Sequence, residues 1–163
     1  MSISRLILLG IPIAVLALSP GRTMAKSDLF RAVHPAGRIE DQERATDSSA
    51  VRKVFSAAEA AIAGGELQGI TGFLHAKVFL TLATGENGYY SAEQTLFILR
   101  NFFRQHAPLG FSFGNTKIGA ESAYGVGFLR YVKRGQQGTA QVFLSLTRTE
   151  QGWRIDQITI ARR

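Results

Sequence analysis

Few residues in this chain could carry chemistry, and their spacing decides among the options. Acid–base catalysis needs a carboxylate or histidine aimed into a cavity from a strand, with its proton affinity tuned by burial. Asp156 is the acidic residue that falls mid-strand, in the run WRIDQITIARR. Arg154 shares its side of that strand, so an exposed ion pair is the plain reading. Turned into a cavity, with Tyr124 or Tyr131 as proton donor, Asp156 would instead suit an isomerase- or dehydratase-like reaction. It is the one catalytic candidate, and a weak one.

The segment Gly110-Phe111-Ser112-Phe113-Gly114 spells G-x-S-x-G, the nucleophile elbow of α/β-hydrolases. That elbow needs a strand before the serine and a helix after it; here a helical pattern precedes and strands follow. His34, His75 and His106 all come before Ser112, against the hydrolase order. The pentapeptide therefore reads as strand with packed Phe rings. The histidines have no metal-ligand spacing, so no metal site is expected. His106 suits the negative end of a helix dipole. Neither GxxxxGK[ST] nor a strand-borne GxGxxG occurs, and no nucleotide or other cofactor is implied. With 0 cysteines, disulfides, thiolate zinc sites and cysteine nucleophiles are excluded.

The elements that must position these residues occupy the later part of the chain. Its 163 residues, 45% hydrophobic and 19% charged, suit one globular domain. At the front, Arg5 precedes the apolar run Leu6–Leu18, and Pro20, Gly21 and the small residues Thr23 and Ala25 follow. The run is shorter than the about 20 apolar residues of a membrane span. This is a secretory signal plan over residues 1–25, with cleavage after Ala25. No integral membrane segment would remain, and a cysteine-free exported chain fits the bacterial periplasm or exterior. Residues 26–47 are rich in charge without apolar period and read as a flexible tether. The domain proper is expected over residues 48–163.

Val51, Val54, Phe55, Ala58 and Ile62 recur at helical intervals, and Gly64-Gly65 stops the pattern. A short helix or turn follows at residues 66–74, then a β-rich run over residues 77–83. Ser91 and Gln94 form a capping box, ahead of Leu96, Leu99, Phe102 and Phe103 on one helical face. From Phe111 onward four strand-like segments are separated by turn residues, the pattern of successive hairpins. Helices first and antiparallel strands after them predict an α+β domain, with helices on one face of a curved sheet. Neither face of residues 122–134 or 139–149 alternates cleanly to polar, so the second face is expected to be covered, for instance by another subunit.

The run GYYSAEQTLFILRNFFRQHAPLGFSF and the final VFLSLTRTEQGWRIDQITI resemble a bacterial exported family known as domain of unknown function 4783. The likeness spans residues 51–160 and departs at Thr95, where that family usually has Ala. It implies a nuclear-transport-factor-2-like, cystatin-like cone and no particular activity, because such folds host many.

The functional expectation is an exported, non-enzymatic module that binds a ligand or partner in or around an apolar cone. The alternatives are a small isomerase- or dehydratase-like enzyme using Asp156 in the cone cavity, and a structural dimerising module. With 11 Phe, 4 Tyr and 1 Trp in the chain, Phe103, Phe113, Tyr124 and Phe128 are candidate pocket-lining residues. Tyr131, Phe143 and Trp153 are candidates for a homodimer interface across the sheet. The net charge of +7 suits an anionic ligand and falls short of a nucleic-acid binder, the aromatic cone suits a small apolar one, and Lys133, Arg134 and Arg162 read first as a solvated rim.

Overall fold

Rings and glycines decide how this sheet closes on its helices. In the computed structural model, β4 (Ser122–Lys133) turns Ala123, Gly125, Gly127, Leu129 and Tyr131 toward the helices. A Cβ on Gly127 would lie 2.3 Å from the Ser112 carbonyl oxygen, and one on Gly125 would lie 2.8 Å from the Phe113 ring. Only glycine lets Phe111 and Phe113 of β3 (Ala107–Ile118) lean over the neighbouring strand. Phe113 in turn meets Phe55 edge-on at 5.1 Å, which ties the first helix to the sheet.

The structure describes residues 35–162. The signal segment, the start of the tether and His34 lie outside the described residues. Gly37–Arg163 forms one compact unit. Helix α1 (Pro35–Gly64) begins well before Ser48 and takes in residues 35–47, which the charge pattern assigns to a tether. Pro at the first helical position and the absence of Gly or Pro from Arg38 to Ala63 favour the longer helix. Asp47, from the supposed tether, makes a 2.8 Å ion pair with Arg148. A 3-10 turn (Leu67–Phe73) leads into β1 (Leu74–Leu82) and β2 (Asn87–Ser91). The sequence pattern had shown no strand at β2.

Helix α2 (Ala92–Gln105) starts with both bonds of the expected capping box. Its inward face buries Leu96, Leu99, Phe102 and Phe103. The strands β3, β4, β5 (Gln136–Thr149) and β6 (Gly152–Arg162) form three hairpins. The sheet order is β2-β1-β6-β5-β4-β3, antiparallel except where β1 runs parallel to β6. The β4–β5 connection is the two-residue turn Arg134-Gly135, both at positive φ, as a tight hairpin requires. Helices followed by a curved, mostly antiparallel sheet are the α+β class that the sequence predicts. The motif Gly110–Gly114 lies wholly inside β3.

The core fills the space between helices and sheet. Val142, Leu144 and Leu146 of β5 and Ile155, Ile158 and Ile160 of β6 are buried there. The parity of β6 changes from odd to even because the pairing skips Asp156: Leu146 faces Ile155, and Ser145 faces Gln157. This bulge accounts for Trp153 against the interface expectation, whereas Tyr131 lies on the covered face of β4 in regular register. Trp153 pairs with Arg148 and belongs to the covered face, at 3% exposure, and Tyr131 is also buried. Neither can share a surface with Phe143, which lies on the other face.

Candidate functional site

Among the described residues one face of the sheet carries no helix, and several of its aromatic side chains are exposed or half-buried. On β4 these are Tyr124 and Phe128, 38% and 45% exposed, and on β5 Phe143, whose ring stacks on Tyr124 at 5.9 Å. On the other side of β6, Phe79 of β1 packs against Tyr89 of β2 at 5.0 Å, with Tyr89 exposed. Between the two ring pairs the sheet is indented at Asp156.

Two irregularities meet at that residue. Leu74 pairs with Ile155 and the next pairing is Phe79 with Gln157, so His75–Val78 of β1 oppose Asp156 alone. On its other edge, β5 skips Asp156 as well. A bulge on both sides re-aims the residue and parts the strands. The result is an open depression of about 700 Å³ lined by His75, Lys77, Phe79, Tyr89, Thr147 and Asp156. The Asp156 Oδ1 atom is buried and has no hydrogen-bond partner, and its carboxylate makes no ion pair with Lys77 or Arg154. The Nδ1 of His75 is held by the Lys77 backbone, 3.0 Å from its carbonyl oxygen.

Asp156 thus opens on the helix-free face, opposite the helix-packed interior that a cone cavity would occupy. Tyr131 is on the far side of the sheet, and Tyr124 stands two strands away from β6, about 10 Å. Neither donor is in reach, so the expected acid–base pairing does not assemble. The proposed pocket residues separate too. Phe103 and Phe113 pack on the helix side, whereas Tyr124 and Phe128 project from the opposite face. Sequence reasoning missed His75, Lys77, Phe79 and Tyr89. The alternation in KVFLTL and the paired Tyr89-Tyr90 were the available signals, and both needed the β1–β2 hairpin to become a site.

Among the described residues His106, just after α2, is a buried titratable side chain. Its Nδ1 donates to the Phe102 carbonyl at 3.0 Å, and its Nε2 accepts from Lys133 Nζ at 3.0 Å. The ring lies flat on Phe102 at 4.2 Å and meets the edge of Tyr131. Burial holds its pKa below the ordinary histidine value; the bond to Phe102 opposes that shift, and Lys133 and Arg162 add to it. His106 caps the C-terminal end of α2, where the sequence reading puts it, and desolvation is the largest influence on its pKa. Among the described residues, no group of three His, Asp or Glu could hold a metal ion, and no helix is long and apolar enough to cross a membrane.

The chain shares its fold with several solved proteins. A family protein from Bacteroides uniformis superposes with a TM-score of 0.61 at 19% identity, over 66% of this chain and 95% of that one. Its counterpart from Bacteroides ovatus gives 0.59 at 20% identity, over 66% and 93%. An NTF2-like protein with a cystatin-like fold from Novosphingobium aromaticivorans gives 0.60 at 8% identity, over 80% and 91%. No curated protein matches. The family model for domain of unknown function DUF4783 matches residues 55–161, and the chain belongs to that family, with an NTF2-like fold.

Proposed function

We propose that this protein is an exported, non-enzymatic binding module that engages its ligand through the helix-free face of its sheet. One observation carries the reading. The interior is filled by apolar side chains, while the uncovered face holds exposed rings on both sides of a depression whose carboxylate lacks a partner. Surfaces of that kind are binding sites more often than accidents of folding. Native mass spectrometry of the protein isolated from its own host tests this. A bound mass that disappears in the Asp156→Ala and Tyr89→Ala variants is expected; a bare wild-type chain would count against it.

Export rests on the sequence of residues 1–25. Exported material is expected to begin at Lys26, and material beginning at Met1 would remove that part of the reading.

A second occupant is favoured by the stacked Tyr124 and Phe143 beside Phe128. This β4–β5 half of the face is aromatic and suits a second copy related by two-fold symmetry. The β1–β6 half holds the polar depression and is the half assigned to a ligand.

A further inference from the structure

We infer that the depression around Asp156 is a binding site for a neutral saccharide, an inference that rests on reading the helix-free face as the binding surface. The chemistry of the lining excludes the other ligand classes in turn. Asp156 and Lys77 offer one negative and one positive group without pairing to each other, so the site has no formal excess to select an ion. A phosphate or carboxylate seated in it would stand beside the Asp156 carboxylate, a like charge that repels it. A purely apolar ligand would cover the rest of that carboxylate without offering it a donor. The Asp156 carboxylate, as part of the lining, calls for a hydroxyl or N–H donor, and a bond to a carboxylate is among the stronger kinds.

The remaining groups fit the edge of a sugar. Lys77 donates, Thr147 and the Tyr89 phenol can donate or accept, and the Gln157 amide does both. The Nε2 atom of His75 has no partner in the fold, because its backbone contacts are made through Nδ1. The Phe79–Tyr89 ring pair, tilted at 58° with Tyr89 73% exposed, supplies the apolar surface. A pyranose has hydroxyls around its rim and C–H groups on its faces, so it meets a lone acceptor and a ring surface in one pose. The open shape of the depression suits a ligand that leaves much of itself in water.

The test is saturation-transfer-difference NMR on protein isolated from its host, with maltotriose, cellotriose and chitotriose as probes and L-phenylalanine as the amino-acid control. Transfer from at least one trisaccharide is expected. The signal should fall on the order of tenfold or more in Asp156→Ala, the loss expected for a hydrogen bond to a charged acceptor. Tyr89→Ala should weaken it too, and since Tyr89 is mostly exposed, that variant keeps the fold while removing a wall. Thermal unfolding of both variants is measured alongside. Absence of transfer from all three trisaccharides, transfer that survives both variants, or transfer from L-phenylalanine alone would overturn the saccharide assignment. A co-purified, Asp156-dependent ligand of another class would overturn it while leaving the binding face standing; a bare chain with no saccharide transfer would remove both.

Discussion

On the helix-covered side of β4, Gly125 and Gly127 give way so that Phe113 and Phe111 can lie across the strand; on the other side of the same strand, Tyr124 and Phe128 stand out from the sheet. The two faces use aromatic residues in opposite ways. On the covered face a ring is worth the water it loses, and the surrounding sequence shrinks to admit it. On the open face rings remain partly hydrated, which stabilises the monomer little and leaves apolar area for a partner. Polar residues divide less sharply. Thr95 Oγ1, Trp153 Nε1 and Asp156 Oδ1 are all buried without a partner, but Asp156 alone of the three residues lines the open depression.

The strongest way to break this comparison is to substitute one ring from each face. Phe103 is 5% exposed and packs on Phe102 at 5.4 Å. Phe103→Ala should cost about 3–5 kcal/mol in denaturant titration, through lost transfer energy and the cavity left behind. Tyr89→Ala should stay within about 0.5 kcal/mol of wild type. Similar losses from both would mean that the open face contributes to the monomer's stability as the covered one does. A Phe103→Ala loss below about 1 kcal/mol would mean that α2 does not bury this face.

Association separates the faces next. If the β4–β5 aromatic half takes a second copy, Phe143→Glu brings two unpaired carboxylates into the contact. Roughly a hundredfold weaker association is expected, about 2.7 kcal/mol, read by sedimentation at micromolar concentration. Trp153 and Tyr131 variants should act through folding instead, since both lie in the core. A monomeric wild type would confine binding on this face to the ligand half.

Much of the covered face was legible in the sequence, and little of the open one. The capping box at Ser91, the Leu96–Phe103 stripe and the four strands expected from Phe111 onward follow local rules of period and capping, and each is present, the first strand starting earlier, at Ala107. Residues such as Trp153 were misassigned because a bulge reverses the parity of a strand, and alternation alone carries no sign of it. The β1–β2 hairpin was half seen, since β2 has five residues and merges into the capping box of α2. The Asp156 depression required two bulges to meet between strands far apart in sequence. Asp156 itself was legible as the mid-strand carboxylate; His75, Lys77, Phe79 and Tyr89 were not.

A smaller effect is expected from His106, buried on the covered side against Phe102 and Tyr131, with Lys133 and Arg162 as the cations facing it. Its folded-state pKa is lowered, so the unfolded chain binds the proton more readily than the folded one. Its neutral form therefore supports the fold above about pH 6.5, the ordinary histidine value, and that support is lost as pH falls below it. Protonation would also set an imidazolium against the Lys133 ammonium, now 3.0 Å from Nε2. Stability measured from pH 8 down to pH 5 should decline, and His106→Leu should flatten the decline. A wild-type curve that rises toward acid would contradict this placement.

The finest test compares two orphaned oxygens. Thr95 lies on the inward face of α2 with no exposure, and its hydroxyl has no partner. A buried hydroxyl without a bond forfeits its hydration, a loss of about 1–3 kcal/mol that a same-shaped methyl does not incur. Thr95→Val keeps the branched outline and a similar helix propensity, so the change isolates the hydroxyl. A gain of about 1 kcal/mol in denaturant titration is expected, since relaxation of the core has already recovered part of the difference. Asp156→Ala, by contrast, should leave stability nearly unchanged and act on binding, because its carboxylate sits where solvent and ligands reach the sheet. Should Thr95→Val destabilise the chain, the hydroxyl has a partner in solution and the covered face is less sealed than its burial implies. Should Asp156→Ala stabilise it by as much as Thr95→Val does, the carboxylate is sealed as well, and the distinction between the two faces closes at that residue.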